Sequence, residues 1–564
     1  MQRAGVSLVL LLAVILSFIG CLASHGRAWS LPFRRRGEPW REALAAAKVQ
    51  YAAQRETHWE RWAALVRQRT VSSEIDNEEE FQRATDLLRR WLAEEAGCVD
   101  VQVVRRDNHS RPAVLASCGF GDASATDTSS VSSILFYGHY DVQPASAVAD
   151  GWTVTDDAFA PVTRDGKLYG RGVSDDKGGV MALLAALHTM RAVEQSDLVD
   201  PHHRGSRRLC VKVLFEGEEE IGSPSLTALI AQHPSYLFGG CDRAADAIAT
   251  PVQAVISVDG GQFDERTAQL VCGMRGAAAW EVVLHGAARD VHSGAWGGAV
   301  PNPAQALAML VAALYHAENH SVAVPGFYDG VLPPAERYGG DHERFLRAAS
   351  RAMPPERQLA THLGVSALGG GERSLYPHLV DRLWFRPTLE VVGMGSGYYG
   401  PGIKTAIPAR ATLKLSMRLV PGQRRAAVLA AVRRYVERFC AMHLQAMGIR
   451  CEQYALPFAA DPYELPIDHP LNRLLEQVLR GEYSRRVLPM RSGASIPALS
   501  MLQEAAAPAP VGTLAFSTEA DNLHGPDESM TLSRFDKAVA TYLHLLYRMR
   551  FEAVFPPPPP RDEL

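Results

Sequence analysis

The sequence has no Cys-x-x-Cys pair and only eight cysteines in 564 residues, so neither a thiolate metal knot nor thioredoxin-like redox chemistry has a motif to rest on. Positive charge is not in excess either. Lys and Arg number 58 against 62 Asp and Glu, the formal net charge is -4, and the one compact basic run is Arg34 to Arg36. Such a chain is poorly equipped to neutralise a phosphate backbone, which excludes nucleic acid as an expected partner. No repeat of solenoid or propeller period is found. Apolar residues are plentiful, at 47%, with 21% charged. A chain of this length and composition buries a large core and divides into more than one domain.

Both ends read as addresses. Met1-Gln2-Arg3 precedes an apolar run from Ala4 to Ala23 that closes on Ser24 and Gly26, the layout of a secretory signal peptide over 1-26, or of a signal anchor if it is kept. Arg561-Asp562-Glu563-Leu564 differs from the endoplasmic-reticulum retention tetrapeptide only at its first, basic position. Pro556 to Pro560 should form an extended stalk of ~3.1 Å per residue that holds the tetrapeptide clear of the body. The expectation is an endoplasmic-reticulum lumenal protein with a retention receptor as partner. Beyond Cys21 seven cysteines remain, an odd number, with Cys98/Cys118 and Cys440/Cys451 as candidate pairs whose connectivity the sequence leaves open. Asn108-His109-Ser110 and Asn319-His320-Ser321 are glycosylation sequons.

Amphipathic helices are predicted over Arg41 to Arg69 and Asn77 to Glu95, after which β-rich and helical runs alternate as in an α/β layered domain. Ser133 to Tyr137, Leu209 to Phe215 and Val252 to Val258 are nearly continuous apolar stretches, as expected of strands buried on both faces, and each stops at His, Asp or Glu. Ligands in open α/β sheets collect at the carboxyl ends of strands, so these clusters can converge. The texture changes between Leu270 and Leu465, with a strand at Ala278 to Leu284, a helix at Pro303 to Ala317, and strands near Leu389 and Thr412. The predicted organisation is a catalytic domain over 40-269 and 466-550, an inserted domain over 270-465, and a proline-rich tail over 551-564. Gln195 to Arg207 and Gln232 to Thr250 read as surface insertions without periodicity.

Five segments carry chemistry. In Gly138-His139-Tyr140-Asp141-Val142-Gln143-Pro144, an imidazole at a strand end can ligate a metal while Asp141 fixes its tautomer. Taken alone, a buried hydrogen-bonded histidine at a strand end is the commoner explanation. In Gly170-Arg171-Gly172-Val173-Ser174-Asp175-Asp176-Lys177-Gly178-Gly179, a carboxylate at a glycine-rich turn can bridge two cations, or simply cap the helix that follows. Glu216-Gly217-Glu218-Glu219-Glu220 closes a core strand with four carboxylates, which suggests cation binding or a raised pKa. Asp259 ends the third apolar run, and Asp521-Asn522-Leu523-His524-Gly525-Pro526 adds a second imidazole. Two imidazoles and several carboxylates without a thiolate suit a pair of zinc-class ions with an open water site.

In this order the motifs resemble the co-catalytic dinuclear zinc peptidases, the group of carnosinases, cytosolic non-specific dipeptidases, aminoacylases and glutamate carboxypeptidases. The dipeptidase branch is the nearest, through GHYDVQP, GRGVSDDKGG and EGEEEIGS, and the likeness runs from about Val131 to Arg548. The resemblance implies an α/β catalytic domain, with a central, mostly parallel sheet flanked by helices, and an inserted α+β lid domain that also dimerises. It implies that His139 and Asp259 hold one ion, Glu220 and His524 the other, and Asp175 bridges them with a cis peptide to Asp176. Two divalent ions are implied, Zn first, with Mn or Co as alternatives. Glu219 would be the general base and Asp141 would orient His139. His292, in Asp290-Val291-His292-Ser293-Gly294, resembles a lid histidine that crosses to the partner's active site to stabilise an oxyanion. Arg418 matches an arginine for the substrate carboxylate, and Thr405 and Ser495 lie in substrate-contact motifs.

The implied activity is hydrolysis of dipeptides or short peptides. An aminoacylase or carboxypeptidase acting on N-acyl amino acids is the alternative, and Asp259, where the carboxypeptidase branch tends to carry Glu, favours the dipeptidase. Ala494 replaces a usual glycine, and no histidine lies between Cys451 and Pro462, which counts against carnosine itself. A silent lumenal binding protein would predict a broken ligand set, whereas here every ligand position is filled.

Overall fold

The computed structural model describes residues 38–121, 131–196, 207–241, 251–368 and 376–555. The signal-like run, the proline stalk and the terminal tetrapeptide lie outside the described residues. Among the described residues, no helix is long and apolar enough to cross a membrane.

The three apolar runs are neighbours. Val131–His139 lies between Arg208–Glu216 and Ala254–Ser257 and is parallel to both. They form the middle of a six-stranded sheet, completed by Val99–Val104 and Ala113–Phe120 on one side and Val511–Thr513 on the other. Val99–Val104 pairs antiparallel with Ala113–Phe120, and Ala113–Phe120 antiparallel with Arg208–Glu216; the other three pairs are parallel, giving the mostly parallel α/β sheet expected. Every residue of Val131–His139 is buried, which is why its sequence runs apolar instead of alternating. Helices Lys177–Gln195 and Leu532–Phe551 pack against this sheet and Pro39–Val66 packs on both of them, with Trp62 stacked on Phe535.

The second sheet has four antiparallel strands, ordered Thr388–Ser396, Arg410–Leu419, Gly276–His285 and Arg450–Ala460. Alternate residues of Arg410–Leu419 are buried, and Ala411, Leu413, Leu415, Met417 and Leu419 pack with helices Pro303–Ala313 and Arg425–Phe439 in a separate core. Thr267–Met274 belongs instead to a three-stranded sheet with Tyr463–Glu464 and Arg486–Ser492. The chain thus passes between the two bodies at Arg275 and again at Asp461 and Pro462. The excursion from 270 to 465 is not a single body: Phe345, Ala348, Ala349, Trp384 and Phe385 join the first core.

Disulfides link Cys98 to Cys118 and Cys440 to Cys451, the two near pairs, and also Cys210 to Cys241. Cys272 is free and buried. The stretch expected as an aperiodic insertion from Gln232 contains a short helix, Pro234–Phe238, before the bonded Cys241.

Candidate metal centre

The converging strand ends set the geometry. His139 is the last residue of its strand and pairs with Glu216, so the single turn Glu219–Ile221 that follows lies beside it. Asp259 sits two residues past Ala254–Ser257, and Asp175 just before helix Lys177–Gln195. The first turn of that helix must be bare to fit: a Cβ on Gly179 would lie 2.2 Å from Asp176 Oδ1 and 2.8 Å from the Val258 carbonyl. Gly172 has φ +81° and would press a Cβ to 2.4 Å from Val142 Cγ1.

His139 Nε2 lies 3.1 Å from Asp175 Oδ1 and 4.0 Å from Asp259 Oδ2. His524 Nε2 lies 3.1 Å from Asp175 Oδ2 and 3.4 Å from Glu220 Oε2. Asp175 therefore offers one oxygen to each imidazole. His139, Glu219 and Asp259 form one group, and Asp175, Glu220 and His524 another, with the ligand atoms of each group within 4.8 Å of one another. Every residue named as a ligand from the sequence is in one of these groups, and Glu219 is there too.

The supports differ in detail from the expectation. His139 Nδ1 lies 3.1 Å from the Asp141 main-chain carbonyl and 3.4 Å from its carboxylate. That carboxylate instead accepts the Glu219 and Glu220 N–H groups, at 3.2 and 3.0 Å, so Asp141 orients the acidic turn as well as the imidazole. Gln143, quoted in the first motif but given no role, donates to Glu220 Oε2 at 2.8 Å. The Asp175-Asp176 peptide is cis. Neither aspartate caps the helix with its side chain; Asp176 Oδ2 accepts the His139 N–H at 3.3 Å.

Left to the protein's own charges, the cluster is electrostatically overloaded. Burial, together with Asp259, Glu220 and Asp175, pushes Glu219 well above the usual carboxylate range. Burial, with Asp175 and Glu220, pushes Asp259 up to about 7. Hydrogen bonds that His524 donates to Asp175 and Glu220 raise it to about 10. Against its burial, His139 is raised by Asp141 and Asp175, and Asp175 is itself held low by the two imidazoles. Carboxylates crowded this closely, around two imidazole nitrogens aimed inward, fit a pair of divalent cations. Cations must displace the protons on Asp259 and His524, so cation affinity is expected to rise with pH through 7 and to weaken as pH falls. The slope is about tenfold per pH unit for each proton displaced, read by titration calorimetry between about pH 6 and 8. A pH-independent affinity would contradict the assignment.

Of the remaining candidates, Arg418, His292 and Thr405 belong to the second body and Ser495 to the first. Arg418 Nη1 donates to Ser495 Oγ at 2.7 Å, bringing two expected substrate contacts together across the bodies. His292 and Thr405 lie on a small ribbon, where Val291–His292 pairs with Ala406–Ile407 and the Ser293 N–H donates to the Thr405 carbonyl. His292 is exposed and its Nδ1 accepts the Gly294 N–H at 3.0 Å; it belongs to neither ligand group of its own chain.

Comparison with known proteins bears on the family and the fold. Human Beta-Ala-His dipeptidase is 28% identical over 399 residues, 70% of this chain and 69% of that enzyme. The Cys-Gly metallodipeptidase dug1 of Schizosaccharomyces pombe is 28% identical over 310 residues, 54% of this chain and 57% of its own length. The solved structure of the Saccharomyces cerevisiae di-peptidase Dug1p shares the fold, with a TM-score of 0.70 at 21% identity, covering 90% of this chain and 99% of that one. Human carnosine dipeptidase 1 gives 0.68 at 24%, with the same coverage. Residues 135–548 match the description Peptidase family M20/M25/M40, and the chain belongs to that family.

Proposed function

We propose that this peptidase hydrolyses the peptide bond of dipeptides or short peptides, with two zinc ions as the first choice of cation and manganese or cobalt as alternatives. The observation that carries the reading is Asp175, which presents one oxygen to each of two imidazoles while Glu219 stands among the same ligand atoms. Its substrate class follows the dipeptidases it resembles.

When bound, the cations supply Lewis acidity, polarising the scissile carbonyl and making water more acidic. His139, Asp259 and the Asp175 Oδ1 side would hold one, and Glu220, His524 and the Asp175 Oδ2 side the other. Glu219 takes the proton of the attacking water and returns it to the leaving amine; its carboxylate stands within 4.8 Å of the His139 and Asp259 ligand atoms, in reach of that exchange. Arg418 and Ser495 face each other where a substrate carboxylate can be gripped by a planar guanidinium. Arg418→Met is expected to raise KM by about tenfold or more, the scale of a lost charge-assisted hydrogen bond, with a smaller change in kcat. An unchanged KM would remove Arg418 from the site.

The same proposal includes a homodimer formed through the second body. Thr388–Ser396 is an edge strand of its sheet, with Val392 and Met394 exposed, and an unpaired apolar edge favours pairing with a second copy. His292 on its exposed ribbon would then serve the partner's oxyanion. Residence in the endoplasmic reticulum is supported by the terminal motifs and by three disulfides, which persist in oxidising compartments. Deleting Arg561 to Leu564 should release the protein to the medium; continued retention would point to the N-terminal run as an anchor. Substrate class is tested by a panel of dipeptides and N-acyl amino acids with Zn or Mn. Hydrolysis confined to the N-acyl compounds would replace the dipeptidase reading with an aminoacylase.

A further inference from the structure

Two buried carboxylates that ligate nothing flank His524 in sequence and reach the turn that carries Asp175. Glu528 is 1% exposed and uses both oxygens fully. Its Oε2 accepts from Arg171 Nη1 and the Gly172 N–H, both at 2.9 Å. Its Oε1 accepts from the N–H groups of Ser174 at 3.0 Å and of Asp175 itself at 3.1 Å. The Glu528 carbonyl also accepts the Gly170 N–H. Asp521 Oδ2 takes the Ser174 hydroxyl at 2.6 Å, and its Oδ1 pairs with Arg534. Arg171 closes the circuit: its Nη2 donates to the His524 carbonyl at 3.0 Å.

The loop between these anchors turns through the left-handed region at three residues. Asn522, His524 and Asp527 have φ +59°, +61° and +54°, a region that Asn, His and Asp enter more readily than other residues with a side chain. The His524 side chain is 54% exposed, so packing does little to place it.

We propose that Glu528, acting through Arg171, is a positioning residue that sets the distance between Asp175 and His524 and so builds the Asp175, Glu220, His524 half of the centre. This inference rests on the reading of that centre as a metal site. Glu528 works as a carboxylate because each oxygen meets two N–H donors. An amide at this position turns one oxygen into an NH2 that faces two donors, so the isosteric Glu528→Gln disturbs the turn without changing volume.

The test uses the full chain, stripped with a chelator and titrated with zinc by calorimetry, alongside kinetics and thermal melting. The parent should bind two cations. Glu528→Gln should bind one as the parent does and the other about 10- to 100-fold more weakly, the usual scale for a residue that orients a metal ligand. At limiting zinc kcat should fall while KM moves by less than about threefold, and saturating zinc should restore part of kcat. Arg171→Lys keeps the charge opposite Glu528 but cannot serve both Glu528 and the His524 carbonyl, so it should fall between. Leu479→Ala, a core change in helix Pro470–Glu482, controls for stability: it should melt lower yet bind both cations as the parent does. The inference is overturned if Glu528→Gln binds both cations with parental affinity, or weakens both equally and only in step with its melting temperature. A parent that binds no cation would overturn the metal reading itself, a result distinct from either of these.

Discussion

Glu219→Gln should fold, bind its cations, and hydrolyse substrate about 100- to 10,000-fold more slowly than the parent, with the loss in kcat. The side chains are isosteric, and the turn Glu219–Ile221 is held from below by the Asp141 carboxylate through the main-chain N–H groups of Glu219 and Glu220. Neither hydrogen bond involves the Glu219 side chain, so the turn keeps its shape. What the variant loses is an oxygen able to take a proton. The carboxylate stands among the His139 and Asp259 ligand atoms, and an amide fills the same space but cannot take a proton there. Metal analysis and steady-state kinetics on one preparation check the prediction. Equal activity would show that proton transfer runs through another group, and joint loss of cations and activity would make Glu219 a ligand first.

Asp175→Ala should have the broader effect. It removes the acceptor of both imidazoles at once, leaving His139 and His524 without the carboxylate that each meets at 3.1 Å. The pair of cations then loses its shared ligand, so the variant should hold at most one with useful affinity. Its kcat/KM should fall by about 1,000-fold or more, several kcal/mol at about 1.4 kcal/mol per tenfold. Stoichiometry separates the two variants: Glu219→Gln keeps two cations, Asp175→Ala does not. An Asp175→Ala protein that bound two cations as the parent does would show that Asp175 is no bridge.

Much of this centre is legible in the sequence because a strand buried on both faces is written as a continuous apolar run, and the run stops where the chemistry begins. His139, Glu216 and Asp259 mark those stops, and in the sheet their strands are parallel neighbours. The Lys177–Gln195 helix is equally plain from its Ala- and Leu-rich run after Gly178 and Gly179. What is not legible depends on contacts between distant segments. Glu528 reads as one more acid near a histidine, and only the fold brings it to the Asp175 N–H, 353 residues away. The preference of the Asp141 carboxylate for the Glu219 and Glu220 N–H groups over His139 is likewise a matter of tertiary geometry. Cys210 and Cys241 are separated by 31 residues that include an aperiodic stretch, so nothing local pairs them. Phe345 and Trp384 sit in sequence within the excursion yet in space within the first core, because helix Gly340–Ala352 turns its apolar face to strand Arg486–Ser492.

Peptide hydrolysis is proposed to need two cooperating cations in each active site. The most direct measurement is a titration of chelator-stripped protein with zinc, following dipeptide hydrolysis against equivalents added. Activity should be absent in the stripped protein, rise with added metal, and reach its plateau at two equivalents per chain. Hydrolysis by the stripped protein, or a plateau at one equivalent, would contradict the account.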